Sequence, residues 1–143
     1  MRALLLAALL LPVAASSQTR PISLVIKAGS GGQAGLDVRL TEKLSVRGLA
    51  ALATDFEDTS VVTSFAALYR VGGPGRLATR VGLSTTIVDF EDAALFGVLF
   101  GAEYALSDRF GVFGEVGLDA DFGDGIGVVR TTNSTGVGVR YGL

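Results

Sequence analysis

The segment Thr135-Gly136-Val137-Gly138-Val139-Arg140-Tyr141-Gly142-Leu143 decides the fold. Its odd-numbered positions are apolar or β-branched while Gly136, Gly138, Arg140 and Gly142 fill the gaps, and a period of two is the signature of a β-strand with two chemically distinct faces. The opposite end of the chain decides the compartment. Met1-Arg2 supplies a positive start, residues 3–11 form an unbroken apolar run, Pro12 stops it, and Val13-Ala14-Ala15 offers small residues for cleavage. This is the pattern of a secretory signal peptide, and the run is too short to cross a bilayer as a helix. Cleavage is expected between Ala15 and Gln18, so residues 1–17 read as a signal peptide and residues 18–143 as one domain. With no cysteine in the chain, there is neither a disulfide nor a thiol to carry a lipid anchor.

Removal of the leader shifts the net charge from -2 to about -3, with eleven Lys and Arg against fourteen Asp and Glu, which disfavours a nucleic-acid partner. The remaining chain is apolar on average, rich in glycine, and has no stretch after Pro12 long enough for a spanning helix. If it enters a membrane it must do so as a closed barrel, because in hydrocarbon only helices and closed sheets satisfy every backbone hydrogen bond.

Period-two patterning divides the chain into eight strands, at residues 21–29, 34–41, 44–54, 60–71, 76–88, 94–106, 110–120 and 132–143. Short turns are expected at Thr41-Glu42-Lys43, Gly72-Gly73-Pro74-Gly75 and Ser107-Asp108-Arg109, alternating with connections at 30–33, 55–59, 88–93 and 121–130. Internal repetition supports the hairpin count. Leu40-Thr41-Glu42-Lys43-Leu44-Ser45-Val46 recurs as Leu106-Ser107-Asp108-Arg109-Phe110-Gly111-Val112, and Asp55-Phe56-Glu57-Asp58 recurs as Asp89-Phe90-Glu91-Asp92 and loosely as Asp121-Phe122-Gly123-Asp124. Each interval between the acidic repeats is one hairpin. The predicted fold is all-β: an eight-stranded antiparallel up-and-down transmembrane β-barrel.

Alternation alone leaves open which face is inside, since a soluble lipocalin-like barrel also alternates. One face carries Leu36, Val46, Phe65, Leu83, Phe96, Phe100, Val116 and others with no charge between the strand ends. The other carries Lys27, Asp37, Arg39, Arg47, Arg70, Arg80, Glu103, Glu115, Asp119 and Arg140, spaced by glycines and small residues. The charged set is mostly arginine with carboxylates, which suits enclosed ion pairing better than a solvated surface. The apolar face is therefore assigned outward and the charged face to the lumen, as an ion-pair network in which Glu103 and Glu115 are expected to pair with Arg80 and Arg140. An eight-stranded interior is filled by its own side chains, which excludes a wide pore.

The acidic repeats place Asp55, Glu57, Asp58, Asp89, Glu91, Asp92, Asp121 and Asp124 at one mouth, as a rim with which weak Ca2+ or Mg2+ binding is compatible; no other cofactor is expected. Asp119 to Arg130 does not complete a calcium loop, because Gly123 stands at a ligand position and Arg130 where the closing glutamate belongs. Gly72 to Gly75 precedes no helix and is a turn rather than a phosphate loop. The chain has no histidine, so activation of a serine by histidine is excluded and no enzyme activity is expected.

With its charged lumen, apolar exterior, alternating short and long connections, and a last strand ending in Tyr141 and Leu143, the chain resembles small outer-membrane barrels of the OmpA/OmpX kind over residues 20–143. That resemblance implies a monomer in the bacterial outer membrane. Its partners would be outer-membrane lipid and, during biogenesis, periplasmic chaperones and the barrel-assembly machinery. The implied role is structural or surface-interacting; the alternatives are a narrow ion or small-solute channel and a soluble periplasmic lipocalin-like binding barrel. Leu143 departs from the usual terminal Phe or Trp, and no peptidoglycan-binding domain is expected beyond it.

Overall fold

The computed structural model describes residues 21–29, 31–54, 59–88, 94–121, 129–130 and 135–143. They form β1 (Ile22–Gly29), β2 (Gln33–Arg39), β3 (Leu44–Thr54), β4 (Thr59–Gly72), β5 (Leu77–Val88), β6 (Ala94–Ala105), β7 (Phe110–Asp121), β8 (Val129–Arg130) and β9 (Gly136–Gly142). Every neighbouring pair is antiparallel, and β9 hydrogen-bonds both β7 and β1. The sheet thus closes on itself with β8 and β9 as two segments of one eighth stave, both paired to β7. The sequence predicts an unbroken strand over 132–143. β9 lies within that span, whereas β8 falls in the expected 121–130 connection and pairs with β7 in a different register, since Asp119 faces Arg130 whereas Glu115 faces Gly136.

The repeated turn sequences fold alike. Leu40 and Thr41 donate their amides to the Leu44 carbonyl, and the Thr41 hydroxyl accepts from the Lys43 and Leu44 amides. In the repeat, Leu106 and Ser107 donate to the Phe110 carbonyl and the Ser107 hydroxyl accepts from Arg109 and Phe110. A hydroxyl that bonds the backbone two and three residues onward fixes a turn locally, before any tertiary contact exists. The third turn works through glycine: Gly73 has φ 138° and Gly75 φ 58°, and Leu77 donates to the Pro74 carbonyl.

The stagger of the staves sets the bore. From Phe110 the register runs to Tyr141, Leu24, Leu36, Gly48, Phe65, Thr85 and Phe96, then returns to β7 at Ala120, ten residues farther along. With about 3.3 Å per residue and about 4.8 Å between strands, that stagger corresponds to a tilt of about 40° and a backbone radius of about 8 Å. Opposing side chains meet across such a space. Outward-pointing positions are the apolar ones assigned from the sequence: Phe100 is 61% exposed, Leu83 68% and Val116 57%, with Leu36, Phe65, Phe96 and Tyr104 beside them. Inward positions are buried and mostly polar.

Candidate functional site: the charged lumen

β1 to β7 and β9 contribute alternate residues to the lumen: Ser23, Val25 and Lys27 from β1, Asp37 and Arg39 from β2, Ser45, Arg47 and Leu49 from β3, Leu68 from β4, Arg80 and Ser84 from β5, Glu103 from β6, Glu115 and Asp119 from β7, and Arg140 from β9. Small residues on the same face make room for the long ones. At Gly97, for example, an added Cβ would crowd the Asp119 carboxylate and the Ser84 hydroxyl.

The charged groups form one chain of contacts. Glu115 holds Lys27 Nζ at 2.7 Å through Oε1 and Arg47 Nη1 at 2.7 Å through Oε2. Arg47 also reaches down to Asp37, with Nε 3.4 Å from Oδ2. Asp37 in turn lies 3.7 Å from Arg80 Nη1, and Arg80 Nη2 lies 2.6 Å from Glu103 Oε2. Arg140 completes the chain, donating from Nε to Glu103 Oε1 at 2.8 Å and from Nη1 to the Ser23 hydroxyl at 3.1 Å. The Arg80–Glu103 approach is close but poorly aligned: Arg80 Nη1 and Glu103 Oε2 are both buried without a hydrogen-bond partner of good geometry. Arg47, Glu103 and Asp119 are 2%, 4% and 1% exposed, so these charges interact across protein rather than water.

Of the ten residues assigned to the lumen from the sequence, seven share this chain: Lys27, Asp37, Arg47, Arg80, Glu103, Glu115 and Arg140. Arg80 and Arg140 both pair with Glu103. Glu115 pairs instead with Lys27 and Arg47, because the stagger of the barrel lifts it above the Glu103 tier. Asp119 accepts from the Ser84 hydroxyl at 3.5 Å. Arg39 is half-buried at the short-turn end of the lumen, and Arg70, next to the Gly72 turn, is exposed there.

Apolar side chains inside the lumen were not anticipated. Val25, Leu49 and Phe113 form a buried cluster, and the Arg47 guanidinium lies 4.6 Å from the Phe113 ring centroid. The signal was present in the strand period, since Phe113 occupies the alternate position between Gly111 and Glu115. A cation over an aromatic face is an attractive pairing, so the ring belongs to the same assembly as the charges.

Two small cavities lie in the middle of the lumen among the described residues. One, of about 20 Å³, lies among Lys27, Arg47, Ser84, Thr86, Leu99 and Glu115; the other, of about 10 Å³, lies among Arg47, Arg80, Leu99, Glu103, Phe113 and Glu115. Each has room for about one water. Arg47, Leu99 and Glu115 line both and form the septum between them.

Of the acidic rim, Asp55, Glu57, Asp58, Asp89, Glu91, Asp92 and Asp124 lie outside the described residues, and Asp121 is described only as the backbone end of β7. Among the described residues no cluster of acidic, histidine or cysteine side chains is arranged to hold a metal ion.

The fold is similar to a known one. The crystal structure of the N-terminal β-barrel domain of Pseudomonas aeruginosa OprF superposes with a TM-score of 0.58 at 18% identity, covering 84% of this chain and 93% of that domain. No protein-family model matches the sequence, and no curated protein does. The chain therefore has the closed eight-stranded barrel fold of that domain, reached with a largely different sequence.

Proposed function

We propose that the protein is a structural barrel of the bacterial outer membrane, its lumen closed by the Lys27–Glu115–Arg47–Asp37–Arg80–Glu103–Arg140 chain of ion pairs, with no catalytic role. One observation carries this reading: the large apolar side chains point away from the barrel axis while the charges point into it. Such a surface is costly in water and favourable in hydrocarbon. A soluble lipocalin-like barrel would have the opposite arrangement. The similarity of fold to the OprF barrel domain agrees with this placement.

Within the lumen, opposing charges offset most of one another and fill the space, while Phe113, Leu49 and Leu99 occupy what remains. Free volumes of about 10 and 20 Å³ fit single waters rather than a continuous column. This supports a closed barrel over a narrow conducting path. The test is heat-modifiable migration: protein refolded into micelles should run on a detergent gel at a different apparent mass unless boiled, and should insert into vesicles. Migration unchanged by boiling, together with solubility as a monomer without detergent, would defeat the membrane reading.

A further inference from the structure

At the short-turn end of the lumen, the positive charge exceeds what the carboxylates can match. A cavity of about 20 Å³ there is lined by Arg39, Lys43, Arg70 and Arg80, with Thr41 and Ser45 between them and Glu42 as the only acid on its wall. Arg80 leans toward Asp37 and Glu103, but both of those carboxylates are already shared with Arg47 and Arg140, and Arg80 Nη1 remains buried without a hydrogen-bond acceptor. The side chains of Arg39, Arg70 and Lys43 make no ion pair or hydrogen bond among the described residues. Arg39 is half-buried and within electrostatic reach of the cations Arg140 and Arg70 and of the carboxylates Glu103 and Asp37, which are already shared among Arg47, Arg80 and Arg140. Cations gathered in a partly desolvated recess repel one another, and an arrangement of donors that lack acceptors is relieved by an anion.

We infer that this mouth binds a phosphate-class oxyanion, seated over the recess by Arg39, Arg70 and Lys43, with the buried Arg80 beneath adding positive charge rather than a direct contact. Tetrahedral oxygens match guanidinium forks, which donate two parallel hydrogen bonds each. The recess sits inside the ring of turns, so the ligand enters from the aqueous side at that end as a free phosphate ion or as the phosphate of a lipid headgroup at the rim. The inference rests on side-chain geometry and not on the membrane placement proposed above, so either can fail alone.

The test uses full-length mature chain refolded in a maltoside detergent, which carries no phosphate of its own. Inorganic phosphate at about 10 mM should raise the melting temperature by a few degrees over chloride at the same ionic strength, because binding to the folded state alone stabilises it. Arg39→Gln with Arg70→Gln should weaken phosphate binding about tenfold or more, in keeping with the loss of charge-assisted bonds. Arg39→Lys should retain part of the response, and Arg109→Gln, on a turn that does not line the recess, all of it. Arg39→Gln removes attraction to Glu103 and Asp37 as well as repulsion from Arg140 and Arg70, so the phosphate response of each variant is read against its own melting temperature in phosphate-free buffer. In nanodiscs, stabilisation by phosphatidylglycerol over a neutral lipid, lost in the double variant, would identify the headgroup as the source; stabilisation by the free ion alone would identify the soluble ligand. If neither source stabilises the parent more than the double variant, the mouth binds no oxyanion.

Discussion

Gly138 sits in the lumen beside Phe113, and an added Cβ would run into the Phe113 ring and the Ile26 carbonyl of the neighbouring strand. A flexible side chain can move aside, but here one of the obstructing atoms is backbone. Gly138→Ala should therefore destabilise the barrel by about 1 to 3 kcal/mol, the usual cost of overpacking, although alanine is normally the gentlest replacement for glycine in a strand. Urea titration in lipid vesicles would measure it, and an unchanged midpoint would mean that the Phe113 ring is not held where the structure has it. On the outer face the opposite logic holds. Phe100 lies near the middle of β6 and is 61% exposed, so Phe100→Arg should cost about 2 to 4 kcal/mol in a bilayer, where a charge loses its water. Phe100→Leu keeps the surface apolar and should cost much less; equal losses for the two would refute the lipid-facing assignment.

Between elements, Glu115 is the carboxylate that ties β7 to β1 through Lys27 and to β3 through Arg47. Neutralising it takes away the carboxylate that two buried cations share, which is more damaging than removing a contact, because their desolvation is then less fully compensated. Glu115→Gln should cost about 3 kcal/mol or more. Adding Lys27→Met should return part of that loss, since Arg47 then still has Asp37 while the second cation is gone. A double-mutant cycle in unfolding free energy would detect the coupling, and strict additivity would mean that Lys27 and Glu115 do not interact in the folded barrel.

For the molecule as a whole, the ten-residue stagger around eight strands leaves a bore that side chains can fill, and Arg47 with Phe113 occupies its middle. The parent protein in a planar bilayer is expected to show no open-channel current. Arg47→Ala combined with Phe113→Ala removes the guanidinium and the ring at the septum between the two cavities and should admit a small, steady conductance. Large currents through the parent would show that the lumen is not closed by these groups.

Strand positions, turns and faces were legible in the sequence because each is set within a few residues. Alternation from Thr135 to Leu143 fixes two faces, a hydroxyl at Thr41 or Ser107 fixes its own turn, and the chemistry of the alternate positions separates the outer face from the lumen. The partners across the lumen were not legible. Glu103 and Glu115 look equivalent along their strands, yet one meets Arg80 and Arg140 and the other Lys27 and Arg47. Which cation stands at the height of which carboxylate depends on the stagger accumulated over all eight strands, and that offset exists only once β9 has closed on β1. The same closure gathers Arg39, Arg70 and Arg80 from β2, β4 and β5 around one recess, a juxtaposition that no local stretch of sequence contains.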